Sequence, residues 1–437
     1  MSKTAQTIRV ATADLNGVMR GKRVPLSYAK KLDKGAVRLP LSVLNVDILG
    51  RDIAGNPLVF DSGDADGILL PTGRGPVPMP WLQNPSQLYP MALHHEDGSP
   101  FMGDPRHALQ HVLDGYAERG WHVVAATELE FYLVDDSNGQ LAPARSPLNG
   151  KTIDRPAVLG LDALDAFDDF FSELYQACED MDIPAQASIS EGGAGQFEIN
   201  LNHVPAMKAA DDAWLFKKLV RGLARKHGMT ATFMAKPFVD DAGSGLHVHF
   251  SVIDAAGNNI FDNGSESGSK LLHHAIAGCL EAMTPSTLLF APHANSYQRI
   301  VPDAHAPTKI CWAYENRTAA LRVPGGDPKA RRIEHRVAGG DINPYLMLSA
   351  VLGAALNGIE DGHMPAPAIE GNAYTQKLPQ LPSDWSKAIE LFGTSDPIRR
   401  FLPDQLIRNL VLTKRHELKK IGKLNYTAQS AIYLESV

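Results

Sequence analysis

Residues 121–133 read WHVVAATELEFYL, and this run decides the architecture. It is rich in β-branched and aromatic residues, which suit a pleated, half-buried surface. Directly before it stands HALQHVLDGYAERG, residues 107–120, whose apolar positions recur at helical spacing. Asp104-Pro105-Arg106 opens that helix with Asp104 as N-cap, and Gly120 stops it. The same alternation continues downstream. Helices are expected at 163–181, 209–227, 270–283, 344–359 and 404–421, and a strand with period-2 character at 246–252. The first hundred residues differ. Residues 8–13 and 18–24 flank Asn16-Gly17, the pair that signals a two-residue hairpin turn. The run PTGRGPVPMPWLQNP from Pro71 then disfavours regular structure. No repeat at solenoid spacing appears. The reading is α+β: a small N-terminal β domain over 1–100 and a larger mixed domain over 101–437.

Length and composition agree. A chain of 437 residues is long enough for two or three domains, and 44% hydrophobic with 21% charged residues excludes disorder throughout. Lys+Arg 42 against Asp+Glu 49 leaves −7, without the basic excess that nucleic-acid or anionic-membrane binding usually leaves. Cys178, Cys279 and Cys311 lie far apart and form neither a CxxC pair nor a disulfide framework. The N-terminus has no apolar signal core, and the most hydrophobic run, 345–359, falls short of the ~20 residues of a membrane span. A cytoplasmic, soluble protein is expected.

Four segments carry charge where a core would want apolar groups. In Thr127-Glu128-Leu129-Glu130-Phe131 the two carboxylates share one face of a strand. They repel unless a cation holds them, or they form the solvated face of an edge strand. In SEGGAGQFE, residues 190–198, glycines allow a tight loop between Glu191 and Glu198, though a plain turn between strands explains it nearly as well. His247 and His249 form an H-x-H pair aimed to one side, a frequent metal geometry, or else two satisfied polar residues. In KARRIEHR, residues 329–336, Arg332, Glu334 and Arg336 share a face, as an anion site or as a surface ion-pair ladder. Arg317 and Arg322 add cations just upstream.

Carboxylates with histidine hold divalent metal, and arginines hold phosphate. Together they are the inventory of phosphoryl transfer. A metallohydrolase would not need so many arginines. Gly264 to Lys270, GSESGSK, is a decoy: the Walker spacing is wrong, and it reads as a mobile surface loop.

Taken together, ELEFYL, EGGAGQFEINL, GSGLHVHFS, NRTAALRVP and KARRIEHR…NPY, in that order across most of the chain, resemble the glutamine synthetase family. The resemblance implies an N-terminal β-grasp domain and a C-terminal catalytic α/β domain. It also implies a homo-oligomer, a dodecamer of two hexameric rings with active sites between subunits. The implied partners are glutamate, ATP and an amine, joined through γ-glutamyl phosphate, with two or three Mg²⁺ or Mn²⁺ per site. Carried over by motif, Glu130, Glu191 and Glu198 resemble the ligands of one ion, and Glu128, His247 and Glu334 those of another. His249, Ser251, Arg322, Lys329 and Arg332 resemble nucleotide-site residues. Gly243, Arg299 and Arg336 resemble the glutamate contacts, and Arg317 the arginine that stabilises the transferring phosphoryl group.

Two departures bear on the amine. Ammonia-using members carry a flap R-x-V-P-G-Y-E-A-P, where this chain has RIVPDAHAP, with His305 in place of the glutamate. They also carry a DGSS stretch that is missing from LSVLNVDILG, although Asp47 is nearby. Ala242 replaces an asparagine beside the glutamate site. This pattern resembles the γ-glutamyl-amine ligases, including the γ-glutamylputrescine branch. His305 is then the group that accepts the amine's proton. An ordinary ammonia-using enzyme, or a relative without catalysis, is the alternative. The second would show losses among the metal or phosphate residues, and all of these are filled. Asn372-Ala373-Tyr374 lies roughly where adenylylated relatives carry their tyrosine, without its usual context.

Overall fold

The computed structural model describes residues 5–137, 139, 141–302 and 306–437. The first sheet comprises β1 (Thr7–Ala13), β2 (Met19–Pro25), β3 (Val37–Pro40), β4 (Asp66–Pro71), β5 (Val77–Pro78) and β6 (Gln87–His94). Its order is β2-β1-β6-β4-β3 with β5 on β6; β1 and β6 run parallel and the other pairs antiparallel. The β1–β2 hairpin forms as expected from the strands, but its turn is longer than two residues. The Asp14 carboxylate accepts the Asn16 and Val18 amides, both at 2.9 Å, and organises a loop over residues 14–18. Gly17 supplies the positive φ of +79° that this loop needs. The Pro/Gly run after Pro71 holds only the two-residue β5.

The second sheet comprises β7 (His122–Asp135), β8 (Ala142–Pro143), β9 (Ala185–Ser190), β10 (Gln196–Pro205), β11 (Thr230–Thr232), β12 (Leu246–Ile253), β13 (Trp312–Tyr314), β14 (Leu321–Val323) and β15 (Ile333–His335). Its order is β13-β14-β15-β12-β7-β10-β9, with β8 and β11 also on β7. The long β7 is therefore central. Two helices lie on the sheet, Pro105–Ala117, capped by Asp104, and Ala206–Lys226; Pro344–Asp361 packs on both and on Lys270–Phe290, and Asp404–Ile421 packs on Trp385–Gly393.

Two helices differ from expectation. The segment 163–181 is broken into Leu161–Asp165 and Asp168–Asp180, because Phe167 turns inward to pack on Phe197 at 5.4 Å. The helix beginning at Lys270 runs past 283 to Phe290, straight through Pro285. Burial of Leu288, Leu289 and Phe290 outweighs the one lost hydrogen bond.

The apolar run 345–359 is a buried helix, Pro344–Asp361, capped by Asn343. It packs on Lys270–Phe290 through facing glycines. A Cβ on Gly278 would stand 2.1 Å from the Ala354 carbonyl, and one on Gly358 2.5 Å from the Gly278 nitrogen. Among the described residues no helix is long and apolar enough to cross a membrane.

Candidate active site

Four adjacent strands place a row of charged side chains by register alone. Glu334 on β15 lies opposite His249 on β12, and His247 lies opposite Glu128 on β7. Glu130 lies opposite Glu198 on β10. Directly paired side chains stand about 5 Å apart on one face, so the ladder itself gathers the groups. β7 has neighbours on both sides, which removes the edge-strand reading of Glu128 and Glu130. Glu334 is 1% exposed, which removes the surface-ladder reading of its segment.

The row opens into a cleft of about 1100 Å³. Glu128, Glu130, Glu191, Glu198, His247, His249, Ser251, Arg317, Lys329, Arg332 and Arg336 line it. Gly243, Arg299, Arg322 and Glu334 stand behind that lining. Arg322 braces Glu334 at 2.8 Å, and Arg336 donates to the other oxygen of the same carboxylate. Arg299 is buried and donates to the Val337 carbonyl at 2.8 Å. A Cβ on Gly243 would strike the Ala235 carbonyl at 2.7 Å and the Arg299 stem at 2.8 Å, so only glycine lets that arginine pass. The Ser251 hydroxyl donates to the Arg331 carbonyl at 2.9 Å, and Arg332 Nε lies 3.3 Å from His249 Nδ1. His305 lies outside the described residues.

The imidazoles share one carboxylate. His247 Nδ1 and His249 Nε2 each lie 3.0 Å from an oxygen of Glu128. Burial pushes Glu128 up, but these hydrogen bonds outweigh it and hold the group well below the usual carboxylate range. Burial also pushes Glu334 up, but the charges of Arg336, His247 and His249 together outweigh it and hold the group low. The opposite occurs on β10 and its loop. Burial, then the charges of Glu128, Glu130 and Glu191, push Glu198 up to about 9. Burial, then Glu130, push Glu191 up to about 7.

Such crowding fits cations. Ligand atoms of Glu128, His249 and Glu334 lie within 4.8 Å of one another, as do those of Glu128, Glu198 and His247. These groups cut across the two ligand sets implied by the family resemblance, since His249 joins Glu334 and Glu198 joins His247. Hard divalent ions take carboxylate oxygens and imidazole together. The anion side is equally prepared, because the buried Nε of Arg336 has no partner among the described residues.

Several site groups were not expected from sequence. Gln196 donates to Glu130 at 3.2 Å, Asn200 to Glu198 at 3.0 Å, and the Gly245 amide to Glu130 at 2.7 Å. Period-2 spacing of Gln196, Glu198 and Asn200 on one strand was the available signal. Tyr374 lines the cleft and its hydroxyl donates to the Ala306 carbonyl at 2.9 Å. Asp47 is not in this cleft. It is buried and accepts the Leu49 and Arg51 amides. The decoy loop is likewise outside it, and Ser269 caps the following helix.

Comparison with known proteins agrees with this geometry. Residues 102–430 match the family model described as glutamine synthetase, catalytic domain. The chain is 37% identical over 425 residues to gamma-glutamylputrescine synthetase PuuA of Escherichia coli (strain K12), covering 96% of this chain and 89% of that one. It is 31% identical over 443 residues to the glutamate–isopropylamine ligase of a Pseudomonas species, covering 99% and 95%. A solved structure described as a GmaS/ADP complex superposes with TM-score 0.85 at 26% identity, covering 99% and 97%.

Proposed function

The chain belongs to the glutamine synthetase family, and from that premise we propose that it is an ATP-dependent ligase joining glutamate to an alkylamine such as putrescine. The observation that carries this reading is the single cleft in which Glu128, Glu130, Glu191, Glu198 and two histidines face Arg317, Arg332 and Arg336. The names of two relatives, a γ-glutamylputrescine synthetase and an isopropylamine ligase, support the amine half.

In the first step a γ-carboxylate oxygen of glutamate bonds to the γ-phosphorus of ATP, and ADP leaves. In the second the amine nitrogen bonds to the acyl carbon, phosphate leaves, and the amine's surplus proton passes to a base. Bound Mg²⁺ or Mn²⁺ would neutralise phosphate charge, held by Glu128, Glu130, Glu191, Glu198, His247, His249 and Glu334. Arg317, exposed at the cleft, offers its fork to the transferring group. Buried Arg299, with Arg336, supplies fixed positive charge for glutamate's carboxylates. Ser251, His249, Lys329 and Arg332 serve the nucleotide, and His305 is the base.

Within this reading residues 1–100 are a β-grasp domain and 101–437 the catalytic domain. The split is supported by one sheet confined to residues 7–94 and another to 122–335. The protein acts in the cytoplasm as a dodecamer of two rings.

An amine panel at fixed glutamate and ATP, read as phosphate release, tests the reading. Putrescine or another alkylamine should give the highest kcat/KM and ammonium a low one. The reverse order would make this an ammonia-using enzyme, and glutamate-independent ATP turnover would remove the ligase reading.

A further inference from the structure

Val158 and Leu159 line the cleft, yet they are 62% and 72% exposed. Large apolar side chains left open in a cleft that also holds charged groups point to an apolar part of the ligand. Leu159 also has φ +57°, in the left-handed region where a branched side chain is strained. Two backbone hydrogen bonds hold it there: Leu159 N–H to the Ser190 carbonyl at 2.9 Å, and Gly160 N–H to the Ala157 carbonyl at 2.8 Å. Glycine would adopt this φ without strain, so the leucine side chain is kept against a local energetic preference, as happens at ligand clamps. Ser190 directly precedes Glu191, and Ile189 beside it also lines the cleft.

Register locates this turn within the cleft. Ser190 pairs with Phe197, which pairs with Phe131 on β7, next to Glu130. Ser251 pairs with Val124, seven residues back along the same strand. At about 3.4 Å per residue the two levels are on the order of 20 Å apart. The apolar turn therefore belongs with Glu130 and Glu191, away from the Ser251 end assigned to the nucleotide.

We propose that Val158 and Leu159, with Ile189, form the wall that takes the methylene chain of the amine. The proposal rests on the ligase reading and adds the feature of the substrate that is recognised. Ammonium offers no apolar surface to this wall, whereas each methylene buried against it strengthens binding by up to about fourfold.

The test uses straight-chain primary amines from methylamine to pentylamine with saturating glutamate and ATP. The proteins are wild type, L159G, V158S and the double variant. L159G relieves the backbone strain while removing the side chain, so its melting temperature should not fall, and this keeps folding separate from selectivity. Wild-type kcat/KM should rise with chain length. In V158S/L159G the pentylamine-to-methylamine ratio should drop at least tenfold.

An unchanged ratio in the folded variant overturns the wall. An equal loss for all amines overturns it too, since the turn would then only position Glu191. A change of oligomeric size in gel filtration with the ratio preserved shows that a second copy of the chain covers the turn, and again overturns it. If wild type turns over no amine at all, the ligase reading falls and the wall with it; wild-type turnover with a flat chain-length profile removes the wall alone.

Discussion

At the residue scale, the site works by opposing its charges rather than by isolating them. Glu334 is held ionised between Arg322 and Arg336, whereas Glu198 and Glu191 have carboxylates for neighbours. Arg317 differs from both groups, being exposed at the cleft without an assigned anion. If it meets charge that develops on the transferring phosphoryl group, lysine cannot replace its planar fork. R317K should lower kcat by at least tenfold, with little change in KM for glutamate or ATP. A change confined to KM in steady-state kinetics would make it a ground-state binder. The residue types of this site were legible in sequence because β-strand alternation puts i and i+2 on one face. Glu128 and Glu130 could thus be paired from ELEF alone. That His249 lies directly opposite Glu334 was not legible, since it depends on which residues two strands distant in sequence set opposite each other.

At the scale of elements, the helix Asp404–Ile421 ties the first sheet to the rest of the protein. Lys414 and Glu417, one turn apart and both fully buried, meet the hairpin loop of β1 and β2. Lys414 donates to the Asn16 side-chain oxygen, and Glu417 accepts from Asn16 at 3.0 Å and from the Ile48 amide at 2.8 Å. Removing one partner leaves a buried charge uncompensated, which typically costs about 3–5 kcal/mol. K414M should therefore lower the urea midpoint strongly, and K414M/E417Q should recover at least half of the loss, because glutamine still accepts the Ile48 amide. A K414M midpoint within error of wild type would show the network to be neutral. The helix itself was legible end to end from its period. Its role was not, because Asn16 read as a turn residue and only the packed chain turns it toward residue 417.

At the scale of the whole molecule, the cleft is a fold that stores carboxylate repulsion until cations relieve it. Glu198 and Glu191 are raised from an ordinary 4.5 to about 9 and about 7. A carboxyl raised on folding keeps a proton that the unfolded chain has lost, so these two groups subtract stability as pH climbs from 4.5 through those values. A divalent ion must displace those protons, and its binding therefore strengthens with pH. Mg²⁺ should raise the melting temperature more at pH 8 than at pH 5.5; where it stands at a hundredfold excess over Kd, its binding adds about 2.7 kcal/mol of stability. E198Q should shrink the gain. An equal gain at both pH values, by differential scanning fluorimetry, would remove these carboxylates from the cation site. By itself the sequence determined the α+β alternation, the buried helix after Asn343 and the chemical inventory of the site, because periodicity, capping and charge are local properties. Only the tertiary structure decided the register that aligns Glu334, His249, Glu128 and Glu198, the break at Phe167, the helix that continues through Pro285, and the strained apolar turn at Leu159. Each of these is settled by contacts between segments far apart in the chain, whose burial outweighs local preference.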